Sequence, residues 1–75
     1  MLVPDNIHPE QTIYYNGAFV LQALQHYRQL DLLELFQHTR ETIAMSLPVF
    51  ILCVDWLYLL GLVEINNRGQ VVLCS

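Results

Sequence analysis

Seventy-five residues make one small domain, which buries only roughly 60% of the surface its unfolded chain exposes. Yet 55% of the residues are hydrophobic and 13% charged, against about 25% charged in an average soluble domain, so apolar surface is in excess and an interaction site is expected. The net charge is −4 with no lysine, and the only basic residues, Arg28, Arg40 and Arg68, are scattered; they make no stripe for phosphates and argue against direct nucleic-acid binding by this chain alone.

Residues 1–11 read as an extended arm. Pro4 and Pro9 hold their predecessors in extended conformations, and Leu2, Val3 and Ile7 give some apolar grip. The start lacks the basic and apolar regions of a secretory signal. No segment reaches the roughly 20 apolar residues of a membrane span. A cytoplasmic location, with Cys53 and Cys74 as free thiols, is the expectation.

Residues 12–75 read as one folded domain. Thr12 is an N-cap for a first helix running to about Gln29. Val20, Leu21, Leu24 and Tyr27 form its apolar stripe. Gly17 weakens this helix by about 1 kcal/mol relative to alanine. Either another backbone approaches there, or the regular helix starts only after Asn16–Gly17. Asp31 is the expected cap of a second helix, Leu32 to about Thr42, with Glu34 three residues on as in a capping box. Leu32, Leu35, Phe36 and Thr39 are its inner stripe.

The third helix is the most informative segment. Ser46 caps it, Pro48 fits its first turn and Gly61 stops it. Between them PVFILCVDWLYLL is apolar almost all round, with Asp55 its only charge. A helix of this kind needs cover on every side. With Asp55 set toward water, Pro48, Ile51, Leu52, Tyr58 and Leu59 lie within roughly 60° of it. Phe50, Cys53, Leu57 and Leu60 point to the core, with Val49, Val54 and Trp56 on the flanks. The outward face, Ile51, Leu52, Asp55, Tyr58 and Leu59, suits a partner protein. The arm folding back and a second copy of the chain are the other occupants.

After Gly61 the period changes to two. Leu62–Asn66 and Gln70–Cys74 read as a hairpin around Asn67-Arg68-Gly69. The fold class is therefore mainly α with some β: a winged-helix-like three-helix domain with a C-terminal β-hairpin. In DNA-binding domains of this order the third helix reads bases, but here it carries no Arg, Lys, Asn or Gln.

Nothing points to chemistry. His8, His26 and His38 with Cys53 and Cys74 match no zinc spacing. The carboxylates are dispersed, and Ser46 and Thr39 lack a nucleophile's surroundings. The three glycines are isolated and form no phosphate loop. No catalytic, cofactor or metal residues are expected, and the chain reads as a non-enzyme. Arg68 is a solvated turn residue, or a minor-groove probe if the hairpin acts as a wing. Tyr14 and Tyr15 stay unassigned between a partner contact and a half-buried helix start.

Two stretches, MLVPDNIHPEQTIYYNGAFVLQAL and FILCVDWLYLLGLVEINNRGQVVL, carry a resemblance through Asp55, Leu57, Tyr58, Leu60, Gly61 and the wing glycine. The chain resembles the small middle components of bacterial ABC-three-component systems, the group that includes Lamassu-type antiphage defence. The resemblance implies a non-catalytic subunit bridging a large ABC/SMC-like ATPase and an effector, often a nuclease. One departure is Leu62, where the family pattern turns polar after the glycine. It extends the apolar face and joins the expected partner-binding set. Two alternatives are a small winged-helix transcription regulator and an antitoxin-like protein that masks an enzyme.

Overall fold

The structure is a computed structural model and describes residues 12–74. The arm at residues 1–11, and with it the alternative that it folds back over the third helix, lie outside the described residues. Among the described residues three helices and a three-stranded antiparallel sheet alternate in the order α1 (Ile13–Tyr27), β1 (Gln29–Asp31), α2 (Leu32–Arg40), α3 (Leu47–Leu59), β2 (Val63–Ile65), β3 (Gln70–Leu73). The mainly helical domain with a C-terminal hairpin is as the sequence reads.

Helix α1 starts where Thr12 predicts. Thr12 is extended, and its Oγ1 accepts the Tyr15 N–H at 3.0 Å. A late start after Gly17 is thereby set aside. The helix stops earlier than the expected Gln29, at Arg28, which has φ 71°. The Arg28 N–H donates to the Leu24 carbonyl and its carbonyl accepts from the Leu73 N–H, so the turn out of α1 is tied to the last strand.

Strand β1 was not expected from the sequence. Three residues are too few to display a period, and their strand conformation comes from pairing with β3, Gln29 opposite Val72 and Asp31 opposite Gln70. This also corrects the capping box. Asp31 stands at the N-cap position of α2, but its side chain makes no cap bond. Its backbone is held by the strand pairing instead. The inner stripe of α2 is as expected, with Leu35 and Thr39 buried and Leu32 and Phe36 half-buried.

Helix α3 is capped by Ser46, whose Oγ accepts from the Val49 N–H at 3.4 Å. Its C-terminus closes as a Schellman motif. The Leu62 N–H bonds the Leu57 carbonyl and the Gly61 N–H bonds the Tyr58 carbonyl, both at 3.0 Å, with Gly61 at φ 77°. The hairpin follows, and β3 is the central strand, paired on one side with β1 and on the other with β2.

Every helix and both hairpin strands contribute to one core: Val20 and Leu24 from α1, Leu35 from α2, Phe50, Cys53, Val54 and Leu57 from α3, Val63 and Val71 from the hairpin, and Met45 from the loop before α3. The buried polar side chains are satisfied locally. Asn16 Nδ2 donates to the Thr12 carbonyl at 2.7 Å and Thr39 Oγ1 to the Leu35 carbonyl at 2.8 Å, as burial of polar groups demands.

Candidate functional site: the exposed face of α3

Helix α3 packs chiefly on α1 and less on β2. Phe50, Cys53 and Leu57 face inward as the helical phase predicts. Two assignments change. Val54, expected on a flank, is buried, and belongs to the core at the side where Leu32 of α2 and Ile65 of β2 line a groove with it. Leu60, expected in the core, is half-exposed. It is the cap residue beyond the last helical turn and faces a groove rather than the interior.

Every residue of the expected docking set is exposed: Ile51, Leu52, Asp55, Tyr58, Leu59 and Leu62. Leu59 is the extreme, with 76% of its surface open to water. Exposing this much aliphatic surface forgoes about 25 cal/mol for each Å² left uncovered. The set is not one flat patch but a ridge between two grooves. Ile51, Asp55 and Tyr58 line the first groove with Leu32, Val54 and Ile65, enclosing about 370 Å³. Leu52 and Leu59, seven residues apart, form the ridge by their helical phase. Leu62 lines the second groove, of about 330 Å³, with Trp56, Leu60 and the Tyr14–Leu21 side of α1.

Leu62 reaches that groove because of the Schellman turn. Its N–H is anchored on Leu57, and both side chains line the groove. The second groove owes its floor to Gly17. A β-carbon there would stand 3.2 Å from Trp56 Cζ3, so the bare Cα lets the indole lie against α1. What approaches Gly17 is thus an aromatic ring and not a backbone. Tyr14 sits over the same indole at 6.0 Å between ring centroids, whereas Tyr15 meets Phe19 edge-on at 5.2 Å.

Sequence reasoning missed Leu32 and Ile65. Ile65 could have been found from the hairpin period: it pairs with the buried Val71 and shares its face, but at the rim, where it remains half-open. Leu32 belongs to the inner stripe of α2 and, half-buried, also lines the first groove.

Elsewhere the chemistry is sparse. A polar cleft of about 510 Å³ lies between α1 and α2, lined in part by His26, Tyr27, His38 and Glu41. Tyr27 stacks on His38 at 4.4 Å, and His38 Nδ1 lies 3.0 Å from Glu41 Oε1. Among the described residues no group of three or more His, Cys, Asp or Glu is placed to hold a metal ion. Cys53 and Cys74 are free thiols. Burial pushes the Cys53 thiol up to about 11, and its Sγ donates to the Ile13 carbonyl. The Cys74 thiol is raised by partial desolvation and then by the Glu64 carboxylate. Arg68 lies exposed in the hairpin turn. No helix among the described residues is long and apolar enough to cross a membrane.

The model of the ABC-three component (ABC-3C) system Middle Component 6 family matches residues 3–74. The chain belongs to this family. No curated protein and no solved structure matches the chain. The resemblance carried by the α3 and hairpin motifs therefore holds at the level of an ABC-three-component middle component, and the apolar face just described is a surface of a protein that works within a multi-component ABC system.

Proposed function

We propose that this middle component is a non-catalytic docking subunit that links an ABC/SMC-like ATPase to an effector, such as a nuclease, in a bacterial antiphage defence complex of the Lamassu type. It acts in the cytoplasm, and ATP hydrolysis and any DNA cleavage belong to its partners. The observation that carries this reading is the ridge-and-groove face of α3: a helix that spends its outward side on Ile51, Leu52, Tyr58 and Leu59 has its surface composed for protein association. Family membership supplies the setting, a system with further components.

The order of elements, with β1 joining the hairpin sheet, supports a winged-helix scaffold. In such a scaffold α3 would be the DNA-reading helix, yet its exposed side offers aliphatic groups and one carboxylate where base and phosphate recognition calls for Arg, Lys, Asn or Gln. The scaffold is read here as turned to protein recognition.

Co-expression with the products of adjacent genes, capture on the middle component and mass measurement of the eluate test this. A stable complex containing a large ATPase is expected. Elution of the chain alone, or tight salt-sensitive binding of the isolated chain to duplex DNA, contradicts the proposal.

A further inference from the structure

Asp55 stands in the middle of the apolar face. Ile51 lies one turn before it, Tyr58 and Leu59 one turn after, and it shares the first groove with Leu32 and Ile65. Among the described residues no hydrogen bond or ion pair engages its side chain. In the free chain water solvates it. Any occupant that covers Ile51, Tyr58 and Leu59 strips that water, and a carboxylate covered without a partner is strongly unfavourable. The occupant must therefore bring a donor to Asp55.

A second copy of this chain offers no cationic donor on this face. In a two-fold contact each copy presents the same patch to the other, so two Asp55 carboxylates enter one interface between two chains that each carry a net charge of −4. None of the three arginines, Arg28, Arg40 or Arg68, lies in α3 or lines either groove. A head-to-tail contact that brought one of them to Asp55 would either close as a ring or propagate as a filament with an unmet Asp55 at one end.

Building on the docking role proposed above, we propose that the occupant of this face is an apolar segment of a different protein carrying one arginine or lysine, whose cationic group pairs with Asp55 while aliphatic side chains fill the groove beside Ile51 and Tyr58. An arginine fits best, because its planar fork takes a carboxylate through two bonds while its stem packs on apolar surface. The ridge supplies affinity, and Asp55 fixes the register of the incoming segment and rejects acidic competitors.

The test is the affinity of the full chain for the large subunit it co-purifies with, for wild type, Asp55→Asn, Asp55→Lys and Leu59→Asp, at about 50 and about 500 mM salt. Both positions, Asp55 and Leu59, are exposed, and circular dichroism verifies that each variant is folded. Asp55→Asn is expected to weaken binding about 10-fold, equivalent to about 1.4 kcal/mol, and to flatten the salt dependence, with Asp55→Lys weaker still. Asp55→Asn binding like wild type at both salt concentrations, while Leu59→Asp fails, overturns the ionic pairing and leaves the docking face standing. Leu59→Asp binding like wild type, or a wild-type chain with no large partner, overturns the docking face itself. Self-association of the wild type that Asp55→Asn strengthens makes a second copy the occupant and also overturns the proposal.

Discussion

The six-membered ring of Trp56 lies against the bare Cα of Gly17, close enough that a β-carbon would meet Cζ3 at 3.2 Å. The glycine weakens α1 in isolation and is retained where α1 and α3, the most extensively packed pair of elements, come together. Gly17→Ala gains helix propensity and loses room, and since the half-buried indole can slide toward the groove, the two effects offset. Gly17→Val has no such escape. It is expected to cost about 1–3 kcal/mol by overpacking, lowering Tm by about 4–8 °C per kcal/mol in a domain of this size, and to shift the emission of Trp56, the only tryptophan. Thermal melts followed by fluorescence measure both.

Gly61 is a different case. Its φ is 77°, and nothing lies within 4 Å of the place a β-carbon would occupy. Gly61→Ala therefore carries only torsional strain, about 1–2 kcal/mol. Urea unfolding should show a lower midpoint with an unchanged slope. A larger loss would mean that the Schellman turn itself has opened and Leu62 has left the second groove.

The hairpin turn is organised by Asn66. Its Oδ1 accepts from the N–H groups of Arg68 and Gln70, at 2.9 and 3.0 Å, and its Nδ2 donates to the Gln70 side chain at 3.0 Å. Asn66→Ala removes all three bonds and is expected to cost about 1–2 kcal/mol, with amide hydrogen exchange accelerating first at Gln70 and Val71. Asn67→Ala should be nearly silent by the same measurement.

Helices, caps and the hairpin were legible because each rests on local chemistry: Thr12 and Ser46 at N-caps, Gly61 and Gly69 at positive φ, and period two on either side of the turn. Strand β1 was not legible. Gln29-Leu30-Asp31 becomes a strand only because Leu30 pairs with Val71, forty-one residues away in sequence. The same tertiary closure explains the errors on α3. A helical wheel orders residues by angle but does not say how far neighbouring elements reach, so Val54 lies in the core while Leu60 stays at the rim. The outward face was legible because a single charge, Asp55, fixed the phase of an otherwise apolar helix.

Cys53 gives a pH dependence with a defined sign. Its thiol is held at about 11 in the folded chain, above the ordinary value near 8.5 of an unfolded thiol. The unfolded state loses this proton first, so the contribution of Cys53 is complete below about pH 8.5 and is lost as pH rises toward 11. Denaturation midpoints should fall over that window, and less so for Cys53→Ala, which starts lower because it leaves a cavity. Thiol-reactive probes at neutral pH should label Cys74 well before Cys53.

The central claim, that α3 is the docking surface, is tested most directly by native mass measurement of the co-expressed system with Leu59→Asp beside Gln22→Asp, an exposed change on α1 at the polar cleft. With α3 as the docking surface, Leu59→Asp is expected to stay folded and drop out of the complex, while Gln22→Asp remains in it at wild-type stoichiometry. A Leu59→Asp chain still bound at wild-type stoichiometry would contradict that claim.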